Sequence, residues 1–527
     1  MEYRSSQRAS PVEDRYILAH DLGTTGNKAT LYTPEGELVA SCFYPYETHY
    51  LSATWVEQNP EDWWRAVCLS TAKLLADSKT SPEVIKVVSF SGQMMGALPV
   101  DRRGTPLRPA IIWADQRGVK QAELLKEKVG MERVYKITGH RASPSYSAAK
   151  IMWVRDEEPE LFKKAHKFLQ AKDYIAFKLT GRFVTDYSDA SGTNLLDLRK
   201  KEWSGEILEG VGLPEEFLPE LHPSTDVIGE VTPEAAEECG LKPGTPVVIG
   251  GGDGSCAAVG AGVVREGAAY NYLGSSSWVA LATQEPIYDP KLRTFNWVHL
   301  DPDLYSPCGT MQSAGGSLQW ARDELCTSER EAAETLGLDP YELINLEIAK
   351  SPEGAKGLLF LPYLLGERSP HWNPNARGVF LGLTRNHTKK DMLRAVLEGV
   401  CFNLRIIIEA FEEQGATIEA VRVIGGGAKG WIWRKIMANI YGKPILLTAY
   451  PLEATSLGAA IAGGVGVGLF QDFSVTEQLV KITARQEPDL DGEKASRYER
   501  LFEIFKEAYE QLLPIFEKLS ALSESPS

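Results

Sequence analysis

The chain predicts an α/β protein built from two similar domains, and three observations predict it. It has 527 residues, more than the ~250–300 at which a single hydrophobic core stops growing. A β-like segment, a turn rich in glycine and hydroxyls, and a second β-like segment occur twice. The turns are Leu22-Gly-Thr-Thr25 and Leu273-Gly-Ser-Ser276, each near the start of a half-chain. Elsewhere, short apolar runs alternate with stretches of helical periodicity, the pattern of sheets covered by helices.

The elements follow in order. Tyr16–His20 and Lys28–Tyr32 read as strands on either side of Asp21-Leu-Gly-Thr-Thr-Gly26, and the turn Pro34-Glu-Gly36 leads to a third strand, Leu38–Phe43. Asn59-Pro-Glu-Asp62 is a helix start, with helical spacing of apolar residues through Leu75. Val84–Phe90 is a strand ending in Ser91-Gly-Gln-Met-Met-Gly96, and Asp173–Leu179 is a helix closed by Gly181. Pro243–Gly252 is a strand entering a glycine turn, so the boundary between the halves is set at residue 260. In the second half, Ala268–Leu273 and Trp278–Thr283 flank the second turn. Met392–Phe411 is helical, Val421–Ile424 is a strand into Gly425-Gly-Gly427, and Leu457–Val465 is a helix of small residues. Tyr498–Leu519 is amphipathic, with a kink expected at Pro514. Residues 1–15 and 520–527 read as flexible tails, and residues 16–260 and 261–519 as the two domains.

Composition narrows the function. The formal net charge of −15 argues against general nucleic-acid binding, which needs a basic footprint. No apolar run reaches the ~20 residues of a membrane span, and Met1–Asp14 lacks the apolar region of a signal peptide. Seven scattered cysteines, none in a C-x-x-C pair, point to a reduced, cytoplasmic protein without a thiolate metal site.

Two turns carry phosphate chemistry. In Asp21–Gly26 the glycines let backbone approach an anion, and the N–H and hydroxyl groups donate to it. Asp21 cannot bind phosphate but can hold Mg²⁺. The turn joins strand to strand, unlike the P-loop or the dinucleotide fingerprint, which run strand to helix. A plain hairpin would use the same residues, and the second copy favours phosphate. That copy, Gly274–Ser277, has Tyr272 where Asp21 would stand, which suits one metal-holding turn and one that only donates hydrogen bonds.

Gly250-Gly-Gly-Asp-Gly254 sets a carboxylate at the tip of a glycine turn before a small-residue helix. Phosphoryl transfer to an alcohol needs a group that orients the hydroxyl and takes its proton. Asp253 can do both; it can also cap the helix, but a cap does not need three preceding glycines. Gly425-Gly-Gly-Ala-Lys429 reads either as a shelf for an adenine or ribose or as an ordinary βα turn. Ser313-Ala-Gly-Gly-Ser-Leu-Gln-Trp320 reads as a nucleotide edge or a tight helix start. Gln93, Asp115 and Arg117 offer hydrogen bonds to hydroxyls, and Trp113 an apolar wall to a sugar face. Core packing for Met94 and Trp113, and an ion pair for Arg117, are the alternatives. Their joint placement after strand ends favours a ligand pocket.

Together with Leu361-Pro-Tyr-Leu-Leu-Gly-Glu-Arg368, these motifs in this order resemble the FGGY carbohydrate kinases, with the strongest likeness to their xylulokinase members, over about Tyr16–Gln471. The resemblance implies an actin-like fold: two RNase H-like α/β domains with ATP in the cleft between them. It implies Asp253 as catalytic base and, with Asp21, as support for Mg²⁺. Thr24, Thr25, Lys28, Ser275, Gly315, Gln319, Gly426, Gly427 and Ala428 would line the nucleotide. Gln93, Met94, Met95, Trp113, Asp115 and Asp253 would line the sugar, D-xylulose first, with ribulose, gluconate, erythritol or a linear signalling diol as alternatives. A homodimer is compatible with this reading. A non-catalytic actin-like protein would share the turns but need no Asp253. Two positions depart from the xylulokinase pattern: Met95 stands where those enzymes usually carry His, and Gly254 where they often carry Asn.

Overall fold

The computed structural model describes residues 15–52, 54–489 and 491–523. In the first half, strands β1 (Tyr16–Leu22), β2 (Gly26–Tyr32) and β3 (Leu38–Pro45) form an antiparallel meander. Helix α1 (Pro60–Ser78) starts where Asn59 accepts from Glu61 N, and leads to β4 (Ile85–Gly92), which lies parallel to β1. Helices α2 (Ser147–Glu157) and α3 (Ala171–Thr180) follow; Gly181 ends α3 in the left-handed region, as its sequence predicts. Strands β5 (Val227–Glu230) and β6 (Pro246–Val248) complete the sheet order β5-β6-β4-β1-β2-β3, with the two-residue strand β7 (Gly251–Gly252) beside β4. The strand predicted over 243–252 is therefore split. Gly250, at φ +64°, bends the chain so closely over Phe90 that a Cβ would lie 1.9 Å from its carbonyl oxygen.

Helix α4 (Asp253–Gly260) leads into the second half. There β8 (Ala269–Leu273), β9 (Ser277–Leu281), β10 (Phe295–Val298) and β11 (Tyr305–Met311) precede α5 (Gly315–Leu325) and the buried α6 (Lys389–Glu412). Strand β12 (Val421–Ile424), α7 (Trp431–Tyr441), β13 (Ile445–Thr448), α8 (Ala454–Gly466), β14 (Ile482–Gln486) and α9 (Gly492–Ser523) finish the chain. The sheet order is β10-β11-β9-β8-β12-β13-β14. Both sheets thus run from an antiparallel meander to two parallel strands and an antiparallel edge, so the duplication seen in two turns extends to whole topologies. β1 and β8 are buried central strands, and their first turns emerge at equivalent places.

Three features differ from expectation. α8, in the second half of the sequence, packs on the first sheet against Ile17, Ala19 and Val87; its run of small residues lets it lie close to both α4 and that sheet. α9 is unbroken at Pro514, whose ring and whose i−4 neighbour Glu510 are both exposed, so the carbonyl left without its helical donor is open to solvent. α9 also continues past the predicted end at Leu519, and Ser520 donates to Asn375 2.9 Å away. The rest of the predicted tails, residues 1–14 and 524–527, lies outside the described residues. No helix among the described residues is long and apolar enough to cross a membrane.

Candidate active site

A cleft of about 460 Å³ lies where the two sheets present their first turns. Asp21, Gly23, Thr24 and Thr25 come from the β1–β2 turn, Ser275 and Ser276 from the β8–β9 turn, and Asp253 and Gly254 from the start of α4. Met94, Met95 and Trp113 enter from the first half. Tyr272, Trp278, Trp297, Cys308, Thr310 and Arg368 enter from the second.

The first turn is held from behind, which leaves its donors facing the cleft. Gly23 N donates to Gly26 O at 3.1 Å, Tyr46 OH donates to Gly23 O, and Gln58 Nε2 donates to Thr24 O at 2.6 Å. Trp113 Nε1 donates to Thr24 Oγ1 at 2.9 Å, tying this wall of the cleft to the first turn. The second turn is stitched to the start of α5: Gly315 N donates to Gly274 O, and Ala314 N and Gly316 N to Ser275 O, all at 2.9 Å. Tyr272 stacks on Trp278 with ring centroids 3.9 Å apart. The Tyr272 hydroxyl is pushed up to about 12 by burial and by the carboxylates of Asp21 and Asp253, so the two turns face each other across a shared negative field.

Asp253 occupies the first helical position of α4, and one of its oxygens accepts from Gly254 N at 2.7 Å. The N-cap of α4 is Gly252 and no side chain caps the helix, so the capping alternative for Asp253 is not realised. Burial and then the nearby Asp21 push its pKa up to about 7, against the pull of the Gly254 N–H. Asp21 is also raised, by burial, although Lys28 and Ser91 oppose the shift.

Other expected residues sit elsewhere. Lys28 is paired across from Asp21 in the β-ladder but donates to Leu452 O at 2.7 Å, with Glu453 3.9 Å away. Asp115 is fully buried; it accepts from Val56 N at 2.6 Å and from Arg117 N and side chain at 2.7–3.0 Å. It clamps the pocket's back wall and does not line the cleft. Gln93 is likewise turned inward, donating to Gln58 Oε1 at 2.7 Å. Ala428 is buried beneath a short helical turn, Gly426–Lys429, and its carbonyl accepts from Arg434. Gly426, Gly427, Gly315 and Gln319 lie beside the second turn or on α5, outside the cleft wall itself.

Met95 stands at φ +65°, rare for a long side chain. Lys150, fully buried on α2, holds it there by donating to Met95 O at 2.9 Å and to Ser145 O. Burial lowers the Lys150 ammonium to about 7. His140 contacts Trp297 at a centroid distance of 4.4 Å and shares a 3.0 Å hydrogen bond with Tyr146 OH; burial drives it down to about 3, so the ring is neutral.

The family model for the FGGY family of carbohydrate kinases, N-terminal domain, matches residues 16–260, and that for the C-terminal domain matches 269–467. The chain belongs to the FGGY family of carbohydrate kinases. It is 35% identical to a gluconokinase of Bacillus subtilis over 97% of this chain and 96% of that one. It is 34% identical to a xylulose kinase of the same organism, over 94% and 97%. A ligand-bound xylulose kinase from Lactobacillus acidophilus superposes with a TM-score of 0.88 at 29% identity, covering 96% of this chain and all of that one. This FGGY protein is therefore a sugar phosphotransferase, with ATP as the phosphate donor that the family implies.

Trp297, Thr310 and Arg368 went unassigned in the sequence. Arg368 closes the Gly-Glu-Arg motif, the one signal that could have drawn attention to it. Trp297 sits in an edge strand whose docking onto the first half, where Val298 N donates to Ser191 Oγ and Asn296 N to Gly139 O, has no local signature.

Proposed function

We propose that this FGGY kinase transfers the γ-phosphate of ATP to a hydroxyl of a small sugar, D-xylulose in the first place, with Asp253 as the base that takes the hydroxyl proton. The observation that carries the reading is the position of Asp253, at the floor of a cleft flanked by two facing phosphate turns and walled by Met94, Met95, Trp113 and Trp297. Thr24, Thr25 and Ser275 supply donors to the phosphate oxygens, and the aromatic walls give the sugar's C–H face an apolar surface. Closure of these walls over a bound sugar would exclude water, which favours transfer to the sugar over hydrolysis.

The carboxylates suit Mg²⁺. Asp21 and Asp253 form an acidic pair that Lys28 offsets only in part, and among the described residues no group of three or more ligating side chains gathers into a cage. Such a set fits a hard cation that keeps its waters and completes its shell on nucleotide phosphates. Bound there, it would neutralise charge on the transferring group.

Gluconate is the second reading. Met95 cannot make the directed hydrogen bonds of an imidazole, which weakens the case for a ketose, and the gluconokinase of Bacillus subtilis is as similar as the xylulose kinase. A panel of D-xylulose, D-ribulose, D-gluconate and erythritol in a coupled ADP assay decides. The expected result is that one of them raises ADP release at least ~100-fold over the sugar-free rate, the range in which positioned acid–base chemistry acts. Equal rates with all of them and with none would reject the reading.

The raised pKa of Asp253 sets a pH profile. Below about 7 the carboxyl keeps its proton and cannot act as base; above it, the base is ready. With ATP and Mg²⁺ saturating, kcat/KM for the sugar is expected to rise with pH and level off at or below about 7, because a cation beside the pair favours the ionised carboxylate. A rate that falls as pH rises from about 5 to about 7 would contradict Asp253 as the titrating base.

A further inference from the structure

Arg368 is brought into the first half's sugar pocket from the second half of the chain. It lines the cleft beside Trp297, Cys308 and Thr310. Its charge is felt by His140, Tyr146, Lys150 and Cys308, a group on the sugar side of the cleft. Its guanidinium lies 5.9 Å from the Phe295 ring centre and 5.8 Å from that of Trp372, so aromatic faces steer it.

What it lacks is an anion. Arg368 makes no ion pair among the described residues, and its Nε is buried without an acceptor. The Tyr146 hydroxyl, a neutral group, is the polar side chain it approaches. The adjacent Glu367 feels the Arg368 charge but forms no ion pair with it. Its carboxyl accepts from Gln312 N at 2.7 Å, Arg368 N at 2.8 Å and Asn403 Nδ2 at 3.1 Å, and burial lifts it to about 8. Arg117, by contrast, is spent on Asp115 and Glu57. A half-buried cation with unused donors is costly unless a ligand supplies acceptors.

We propose that Arg368 is a specificity-determining substrate residue, which brackets two neighbouring oxygens at the end of the sugar remote from the hydroxyl that Asp253 deprotonates. A guanidinium fork matches two such oxygens, whether they are a carboxylate or a carbonyl with its adjacent hydroxyl. This rests on the sugar-kinase reading and specifies how that site tells one sugar from another.

The test uses the full chain and two variants, Arg368→Gln and Arg368→Lys. Sugar binding is titrated without nucleotide by tryptophan fluorescence, with D-xylulose and D-gluconate as probes and, if wild type binds neither, the panel sugar it binds best. ATP affinity is measured in parallel. Arg368→Gln is expected to weaken sugar binding by roughly 30-fold or more, as loss of a charge-assisted pair of hydrogen bonds does, with ATP affinity within about threefold and Arg368→Lys recovering part of the loss. A larger loss for gluconate assigns the fork to a carboxylate, and equal losses assign it to neutral sugar oxygens. Sugar affinity unchanged in Arg368→Gln overturns the proposal, and so does parallel loss of sugar and ATP binding, which would make Arg368 a packing residue of the cleft. Binding is read without turnover, so a wild-type protein that binds sugar but releases no ADP would count against the kinase reading and leave this test intact.

Discussion

Replacing Asp253 with alanine or asparagine is expected to lower kcat by about three orders of magnitude, the upper range for loss of a general base, while ATP affinity stays within a few-fold. In the proposed reading the two turns hold the nucleotide, and Asp253 touches neither through a hydrogen bond; the bond it does make is with Gly254 N, at 2.7 Å. The asparagine variant carries a second, opposite signature. A carboxyl whose folded pKa is raised from 3.8 to about 7 holds its proton more tightly in the folded protein than in the unfolded chain. Its ionisation therefore destabilises the fold progressively as pH rises from about 4 to about 7. Asparagine keeps the acceptor for Gly254 N and cannot ionise. Asp253→Asn should therefore be more stable to unfolding than wild type at pH 8, by an amount on the order of 1–4 kcal/mol, and the gain should vanish near pH 4. Activity lost with stability gained is the mark of a strained functional carboxylate. Activity lost with stability also lost would recast Asp253 as a structural residue of the helix start.

The second large effect is predicted far from any ligand. α4 and α8 cross so closely that a Cβ on Gly260 would lie 1.7 Å from Ala454 O, and one on Gly458 1.9 Å from Cys256 O. Both obstacles are backbone, so no side chain can swing aside. Gly260→Ala or Gly458→Ala must force the helices apart, which costs about 3 kcal/mol or more and should lower the thermal unfolding midpoint by at least ~5 °C. Because Asp253 opens α4 and α8 reaches across from the second half onto the first sheet, the same displacement should lower kcat more than it raises KM for ATP. Gly205→Ala, at a helix start with nothing within 4 Å of its added Cβ, is the control, with both midpoint and rate close to wild type. Unfolding profiles of the two joint variants that match this control would show that the helix crossing tolerates separation.

The extent to which this was legible follows from how local each signal is. The two glycine–hydroxyl turns, Asp253 at its glycine tip and the Gly181 helix stop are written in a few adjacent residues, and the structure places them as read. Asp115 shows the limit of such reading. In Trp-x-Asp-x-Arg the acid and the arginine are two residues apart, close enough to satisfy each other, and they do; the pattern that resembles a hydroxyl-binding set is an internal clamp. Gln93 and Ala428 face inward for a similar reason, since a residue at a strand end or a turn has two sides and spacing alone does not choose between them. Arg368, Trp297 and the return of α8 to the first sheet were out of reach because each depends on a contact between residues distant in sequence. Met95 lies between these cases. Its identity is plain in the sequence, but its φ of +65° and its tie to Lys150 are tertiary facts.

The most direct test of the central claim follows the phosphate itself. Incubating the protein with ATP, Mg²⁺ and the sugar selected from the panel, and resolving products by phosphorus NMR, should show a sugar monophosphate formed in a one-to-one ratio with ADP, and none with Asp253→Asn. Inorganic phosphate accumulating in step with ADP, regardless of the sugar, would contradict the account.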